Sequence, residues 1–403
     1  MAVDDRWYLS KKDADGRRVP SARHGRGKRW RVRYLDDAGV PRERMFERKP
    51  DAELFDANVR ADVSRGQYID NRAGKVTVAE YGTQWRANQI HADTTVVKVE
   101  LAFRLHIEPR LGHMSMAAVR TSHIQAWLKD RAEVLAATTL QVVFSYVRSM
   151  FATAVLDRII GTSPCAGVSP PAIERRDYYI PTPGQVHALA EAIDGRYSAA
   201  VYVAAGCGLR LGEVLGLEVG NIDFLRREIH VRHQLKVVKG RKPYLGPLKT
   251  KNSYRSVELP DELGLALAAH IKAEHPKAFE VDDLTNPRKP LRREANIMFP
   301  SVSGDGLIQL GASWSRLWTP ARKAAGLPER WGMHGLRHYY ATLLIHAGAS
   351  VKTVQMALGH SNPTITLNTY VGEWPEALDR TRALVSKALW NADAAARSVV
   401  GRA

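Results

Sequence analysis

The chain runs to 403 residues, 45% of them hydrophobic, which excludes a mainly disordered protein and exceeds one ordinary core. Lys and Arg number 59 against 42 Asp and Glu, a net charge of +17, and the isoelectric point is near 9.9. That excess points to a polyanionic partner, nucleic acid being the commonest. The two cysteines, Cys165 and Cys207, are too few and too far apart for a metal site or a disulfide framework. No apolar signal core opens the sequence and no apolar run reads as long enough to span a bilayer, so a cytoplasmic protein with no membrane segment is expected.

Residues 1–70 open with a basic run that includes Arg26, Lys28, Arg29, Arg31 and Arg33, with no acidic residue among them. Trp30, Val32 and Tyr34 alternate with those arginines at the period of a half-buried strand. Asp36 to Gly39 supplies a turn, Arg42 to Glu47 can return as a second strand, and Pro50-Asp51 starts a helix through Arg65. A small sheet with one helix and an arginine-rich face is predicted, suited to phosphate or groove contact.

Asp70 to Lys75 reads as a polar linker. From Thr77 to about Val168 the pattern is helical: Val78, Tyr81 and Trp85 share a face, as do Ile124 with Leu128, and Phe144 and Val147 with Phe151. The stretch from Val119 to Ser122 offers a capped helix start. Ser169-Pro170-Pro171 breaks the pattern and predicts a hinge. Beyond it the chain reads as helix from Gln185 to Ala205, strand from Glu228 to Val237 and from Ser256 to Leu259, and helix again from Ser313. The expected domains are 1–70, 76–170 and 178–403.

Four places in the last region carry chemistry-bearing side chains. Glycines around Arg210 set it at a helix start, where backbone donors and a guanidinium converge on a phosphate. Lys249 and Lys251 precede a strand. His334 and Arg337, three apart, share one helix face. The fourth is the charge-poor stretch from Leu358 to Tyr370, with His360 at its head. His338, His346 and His360 lack a metal-ligand spacing, so no metal is expected. Singly each place has a bland reading: a helix boundary, a solvated hairpin tip, a packed tyrosine.

Taken in order, Arg210, Lys249, His334, Arg337, His360 and Tyr370 resemble the tyrosine recombinases, phage integrases in particular. The stretches GCGLRLGEVLGL, KTKNSYRSVEL, MHGLRHYYATLLIHAG and ALGHSNPTITLNTYV carry the resemblance across residues 179–388. IEPRLGHMSMAAVRTSHIQAWL and FATAVLDRIIGTSPCAGV look like that family's core-DNA-binding module, and the first region looks like an arm-binding domain. The implied fold is multidomain α+β: a small N-terminal sheet plus helix, an all-helical SAM-like domain, and a mainly helical catalytic domain with a small antiparallel sheet.

The resemblance implies that Tyr370 attacks a DNA phosphodiester to leave a 3′-phosphotyrosine, without metal, ATP or other cofactor. Arg210 and Arg337 would clamp the non-bridging oxygens, with a further hydrogen bond from His360. His334 would help take the tyrosine proton. Lys249, or Lys251 if the loop shifts the alignment, would protonate the leaving 5′-oxygen, and Glu213 would orient its neighbours. A mobile segment after His360 would deliver Tyr370, and residues 384–396 would contact a neighbouring protomer. Double-stranded DNA at core and arm sites, a homotetramer on DNA, a host DNA-bending protein and an excision factor are the implied partners. A resolvase or transposase of the same chemistry, a type IB topoisomerase, or a non-catalytic DNA-binding regulator on this scaffold are the alternatives.

Overall fold

The computed structural model describes residues 2–35, 39–65, 73–173, 178–238 and 240–370. The chain divides into two compact units, 1–175 and 176–403. Residues 36–38 of the expected turn, residues 70–72 of the expected linker and the 384–396 tail lie outside the described residues.

The first unit begins with β1 (Ala2–Asp5), the hairpin β2 (Tyr8–Lys12) and β3 (Arg18–Pro20), then β4 (Trp30–Leu35), β5 (Pro41–Phe46) and α1 (Lys49–Ser64). β4 is the centre of an antiparallel sheet ordered β1-β4-β5, with Val32 opposite Val3 on one side and Arg44 on the other. The alternation seen in the sequence is real: Val32 is wholly buried and Arg33 is exposed. Phe55 of α1 meets the rings of Tyr34 and Phe46 at 5.6 and 5.2 Å, which seats the helix on the sheet. Strands β1 to β3 escaped the sequence reading, because their polar residues mask any apolar alternation.

The helical part follows as α2 (Val78–Ala87), α3 (Asp93–Ala102), α4 (Glu108–Leu111), α5 (Thr121–Ala132) and α6 (Ala137–Leu156), with a π-helical turn over Phe103–Ile107. Thr77 and Glu80 form a reciprocal capping box at the start of α2. At α5 the cap differs from the Ser/Thr expectation: the Arg120 amide donates to the His123 ring at 3.1 Å. Val78, Tyr81, Trp85, Ile124, Leu128, Phe144, Val147 and Phe151 all lie in one core. Trp85 donates from its indole to Thr153 (3.1 Å) and Tyr81 from its hydroxyl to Asp157 (2.6 Å), pinning α2 to the end of α6. Contrary to the sequence reading, α6 is long and apolar enough to cross a membrane. Its apolar face, from Leu140 to Ala154, is spent on that core.

The second unit contains α7 (Pro183–Ala192), α8 (Ser198–Cys207), α9 (Leu211–Leu215), β6 (Ile222–Asp223), β7 (Glu228–Val231), β8 (Gln234–Lys236), β9 (Tyr244–Gly246), β10 (Arg255–Glu258), α10 (Asp261–Glu274), β11 (Phe279–Asp283), β12 (Leu291–Ala295), α11 (Ala312–Ala324), α12 (His334–His346), α13 (Val351–Leu358) and α14 (Pro363–Tyr370). The helix expected over Gln185 to Ala205 is two helices, split where Asp194 accepts from the Arg196 amide in a 3₁₀ turn. α8 is apolar all round, as a central core helix must be, and packs against α7, α10 and α12. One sheet, β10-β7-β6, is antiparallel as expected. A second, β12-β11-β9-β8, adds a parallel pairing of β11 with β9. β11 and β12 were not read because charge outweighs apolar alternation in both.

Candidate active site

Three tight backbone events place the chemistry. Gly208 ends α8 in the left-handed region (φ 63°), and a Cβ there would come within 2.3 Å of the Tyr340 ring. Arg210 follows as the N-cap of α9, reciprocally bound to Glu213: its amide donates to Oε2 at 3.0 Å and its Nη1 to Oε1 at 2.7 Å. Gly359 closes α13 in the same left-handed way (φ 65°), with the Asn252 carbonyl 2.8 Å from where a Cβ would stand. That turn presents His360, whose amide donates to the Gln355 carbonyl at 3.0 Å. Pro363, at the first position of α14, starts the helix that ends in Tyr370.

Glu213 is 2% exposed and gathers cations. Besides Arg210 it accepts from Arg255 Nη2 at 3.0 Å, and Arg255 also donates to the carbonyls of Ala357 (2.9 Å) and Ser253 (3.1 Å). Burial raises the Glu213 carboxyl, but Arg255 and Arg210 outweigh it and hold the pKa low, so the group stays ionised. Arg337 is 1% exposed and donates to the carbonyls of Gly208 (2.6 Å) and Leu358. Burial, then Arg210 and Arg255, push its pKa down to about 9, which leaves it charged at neutral pH. Two guanidiniums thus pair with one buried carboxylate, and a third, that of Arg337, lies in the same field with only carbonyl partners. The surplus positive charge is what a phosphodiester would neutralise.

The imidazoles sit in the same field. Burial, then Arg337, Arg210 and Arg255, push His360 down to about 4, and its Nδ1 lies 2.9 Å from the Thr366 hydroxyl. His334 keeps an exposed edge, yet burial of the rest, then Arg337 and Arg210, lower its pKa. Both rings are neutral near pH 7, and each then offers one donor and one acceptor nitrogen.

Tyr370 is 2% exposed and packs with Ala341, Ile345, Val354 and Leu358. The segment expected to be mobile is the helix α14, docked on α13. The hydroxyl lies 2.8 Å from Nδ1 of His338, one residue beyond Arg337. Lys249 and Lys251 are exposed in the turn between β9 and β10, where Lys251 begins a 3₁₀ turn ending at Ser253.

The arginines of the first unit are placed differently from one another. Arg26 and Lys28 are exposed in the loop before β4. Arg29 is bound by Asp5 (2.8 Å) and lies over the Trp30 ring at 5.0 Å. Arg31 and Arg33 both meet Asp4, at 3.1 and 2.8 Å. These acidic partners come from β1, which sequence spacing did not bring near. Sequence reasoning also missed Arg255, His338 as a partner of Tyr370, and Thr366. His338 alone carried a signal, being one helical turn from His334. Among the described residues no cluster of three His, Cys, Asp or Glu side chains could hold a metal ion.

Comparison with known proteins gives the family. Residues 182–375 match the phage integrase family, and residues 77–130 match its N-terminal SAM-like domain. A XerC-like tyrosine recombinase of Caldanaerobacter subterraneus is 29% identical over 300 residues, covering 70% of this chain and 75% of the relative. An integrase of Mycobacterium phage L5 is 27% identical over 297 residues, covering 73% and 75%. Among solved structures, the Tn1549 transposon integrase bound to a circular intermediate DNA superposes with a TM-score of 0.65 at 25% identity, over 77% of this chain and 99% of that one. A lambda integrase dimer on its core site shares the fold at 16% identity, with a TM-score of 0.54, over 84% and 91%. The chain belongs to the phage integrase family of tyrosine recombinases.

Proposed function

We propose that this protein is a site-specific DNA recombinase that cuts and rejoins double-stranded DNA to integrate, and with a partner excise, a phage or other mobile element. The observation that carries it is the cluster of Arg210 and Arg255, paired with the buried Glu213 carboxylate, and the carbonyl-bound Arg337 beside them, with His334, His360 and Tyr370 in the same field.

Tyr370 attacks the phosphorus, the bond to the 5′-oxygen breaks, and a 3′-phosphotyrosine conserves the bond for rejoining without ATP. Arg210 and Arg337 stabilise the charge that grows on the non-bridging oxygens, and His360 adds a donor. His334 assists removal of the tyrosine proton. Lys249, the exposed lysine nearer β9, supplies a proton to the leaving 5′-oxygen, with Lys251 as its rival. Glu213 holds Arg210 and Arg255 in place.

In this reading residues 1–70 engage arm sites, with Arg26 and Lys28 exposed and Arg29, Arg31 and Arg33 tempered by Asp5 and Asp4. Residues 76–170 and 178–403 embrace the core site as a tetramer, inside the cell that holds the DNA, aided by a host bending protein and an excision factor. The Tn1549 likeness favours a second reading, a transposon integrase. Deleting residues 1–70 tests the arm-site role: core-site binding should persist while integration is lost. Undiminished integration by the truncated protein would remove that role.

A further inference from the structure

We propose that His338 is a positioning residue for the nucleophile: its Nδ1 accepts the hydrogen bond of the Tyr370 hydroxyl and fixes where that oxygen stands, and Tyr178 holds the imidazole in the plane this requires. The inference rests on Tyr370 being the nucleophile.

The geometry is specific. His338 Nδ1 and the Tyr370 hydroxyl are 2.8 Å apart, and both groups are buried. The imidazole is fixed on two sides. Tyr178 stacks on its face, centroids 4.1 Å apart and planes 25° from parallel, and the His334 ring meets it edge to face at 4.9 Å. Tyr178 is itself held by its neighbour: the Tyr179 carbonyl accepts from the Trp331 indole at 3.1 Å, and the Tyr179 hydroxyl bonds the Gln185 amide at 2.8 Å. A single χ2 rotation of His338 would move Nδ1 off the hydroxyl, and this stack opposes it.

The protonation state suits an acceptor and excludes a general base. Burial, then His334 and Arg337, push His338 down to about 4, so it is neutral at pH 7 with one nitrogen free to accept. A tyrosine hydroxyl ordinarily titrates near about 10. A base some six pH units weaker takes that proton too rarely to drive the attack. His338 therefore orients the hydroxyl, and proton removal falls to another group.

The test uses the full chain and a nicked core-site duplex, from which covalent adduct accumulates in a single turnover. His338→Ala should slow adduct formation at saturating DNA at least tenfold, with DNA affinity within twofold of wild type. His338→Asn, whose amide oxygen can stand where Nδ1 stood, should recover most of that loss. Tyr178→Ala should give a smaller loss that Tyr178→Phe largely restores, since the stack needs no hydroxyl. With ¹³Cζ-labelled tyrosine, the resonance assigned by its disappearance in Tyr370→Phe should shift in His338→Ala. An adduct rate within twofold of wild type and an unmoved resonance in His338→Ala would overturn the proposal. No adduct from wild-type protein bound to its core site would instead overturn Tyr370 as nucleophile, and the resonance would still decide the His338 contact.

Discussion

Among the described residues Arg337 pairs with no carboxylate and donates to the carbonyls of Gly208 and Leu358. A buried cation held by carbonyl dipoles keeps its charge available for a substrate oxygen, whereas a paired one is already neutralised. Arg210, 29% exposed at its side chain, is the better test of the clamp because it can be removed with less damage to the core. Arg210→Ala should cost about 3–4 kcal/mol of transition-state stabilisation, the scale of one lost oxyanion donor, read as single-turnover cleavage with binding unchanged; a near-normal rate would contradict it. Glu213→Gln leaves Arg255 buried against a neutral partner and should lower stability by about 3–5 kcal/mol, measured by denaturant unfolding. The histidines set a pH dependence. His338 and His360 titrate near 4 in the fold, against about 6.5 when unfolded. The unfolded chain therefore binds more protons between those values, and stability should fall as pH drops from about 6.5 toward 4. A melting temperature flat across that window would count against neutral, buried imidazoles. Arg210, Lys249, His334, Arg337, His360 and Tyr370 could be proposed from the sequence because the chemistry asks for those residue types in that order. Arg255 and the Tyr370–His338 bond could not, because their partners lie 42 and 32 residues away and nothing local announces them.

At the scale of elements, the site hangs on helix ends. α8 stops at Gly208 and α9 starts at Arg210, while α13 stops at Gly359 and α14 starts at Pro363. Gly208→Ala must accept both a positive φ and a collision with Tyr340, and should lower the melting temperature and cleavage together. Wild-type values for both would show that the α8–α9 turn does not position Arg210. Elements with a clear signal were readable in the sequence: α2 and α6 fall where the apolar spacing puts them, and α1 where Pro50-Asp51 starts it. Elements whose faces are polar were not, as with β11 and β12, where Arg292 and Glu280 pair on the surface at 2.8 Å. The split between α7 and α8 was hidden for another reason, since Asp194-Gly195 sits inside an otherwise continuous apolar pattern and only its local hydrogen bonds end the helix.

For the whole molecule, the charge of +17 has one direct consequence. Binding to duplex DNA should weaken steeply with salt, losing on the order of 10³-fold between 50 and 200 mM if some six phosphates are contacted; a shallow slope would show that base or apolar contacts dominate. The central claim is that Tyr370 becomes covalently joined to DNA. The most direct measurement incubates wild-type protein and Tyr370→Phe with nicked duplex from the DNA flanking the gene, then resolves protein–DNA adducts under denaturing conditions. An adduct formed by wild type and absent in Tyr370→Phe, with DNA binding equal in both, is the predicted result. An adduct that persists in Tyr370→Phe would contradict it and move the nucleophile elsewhere.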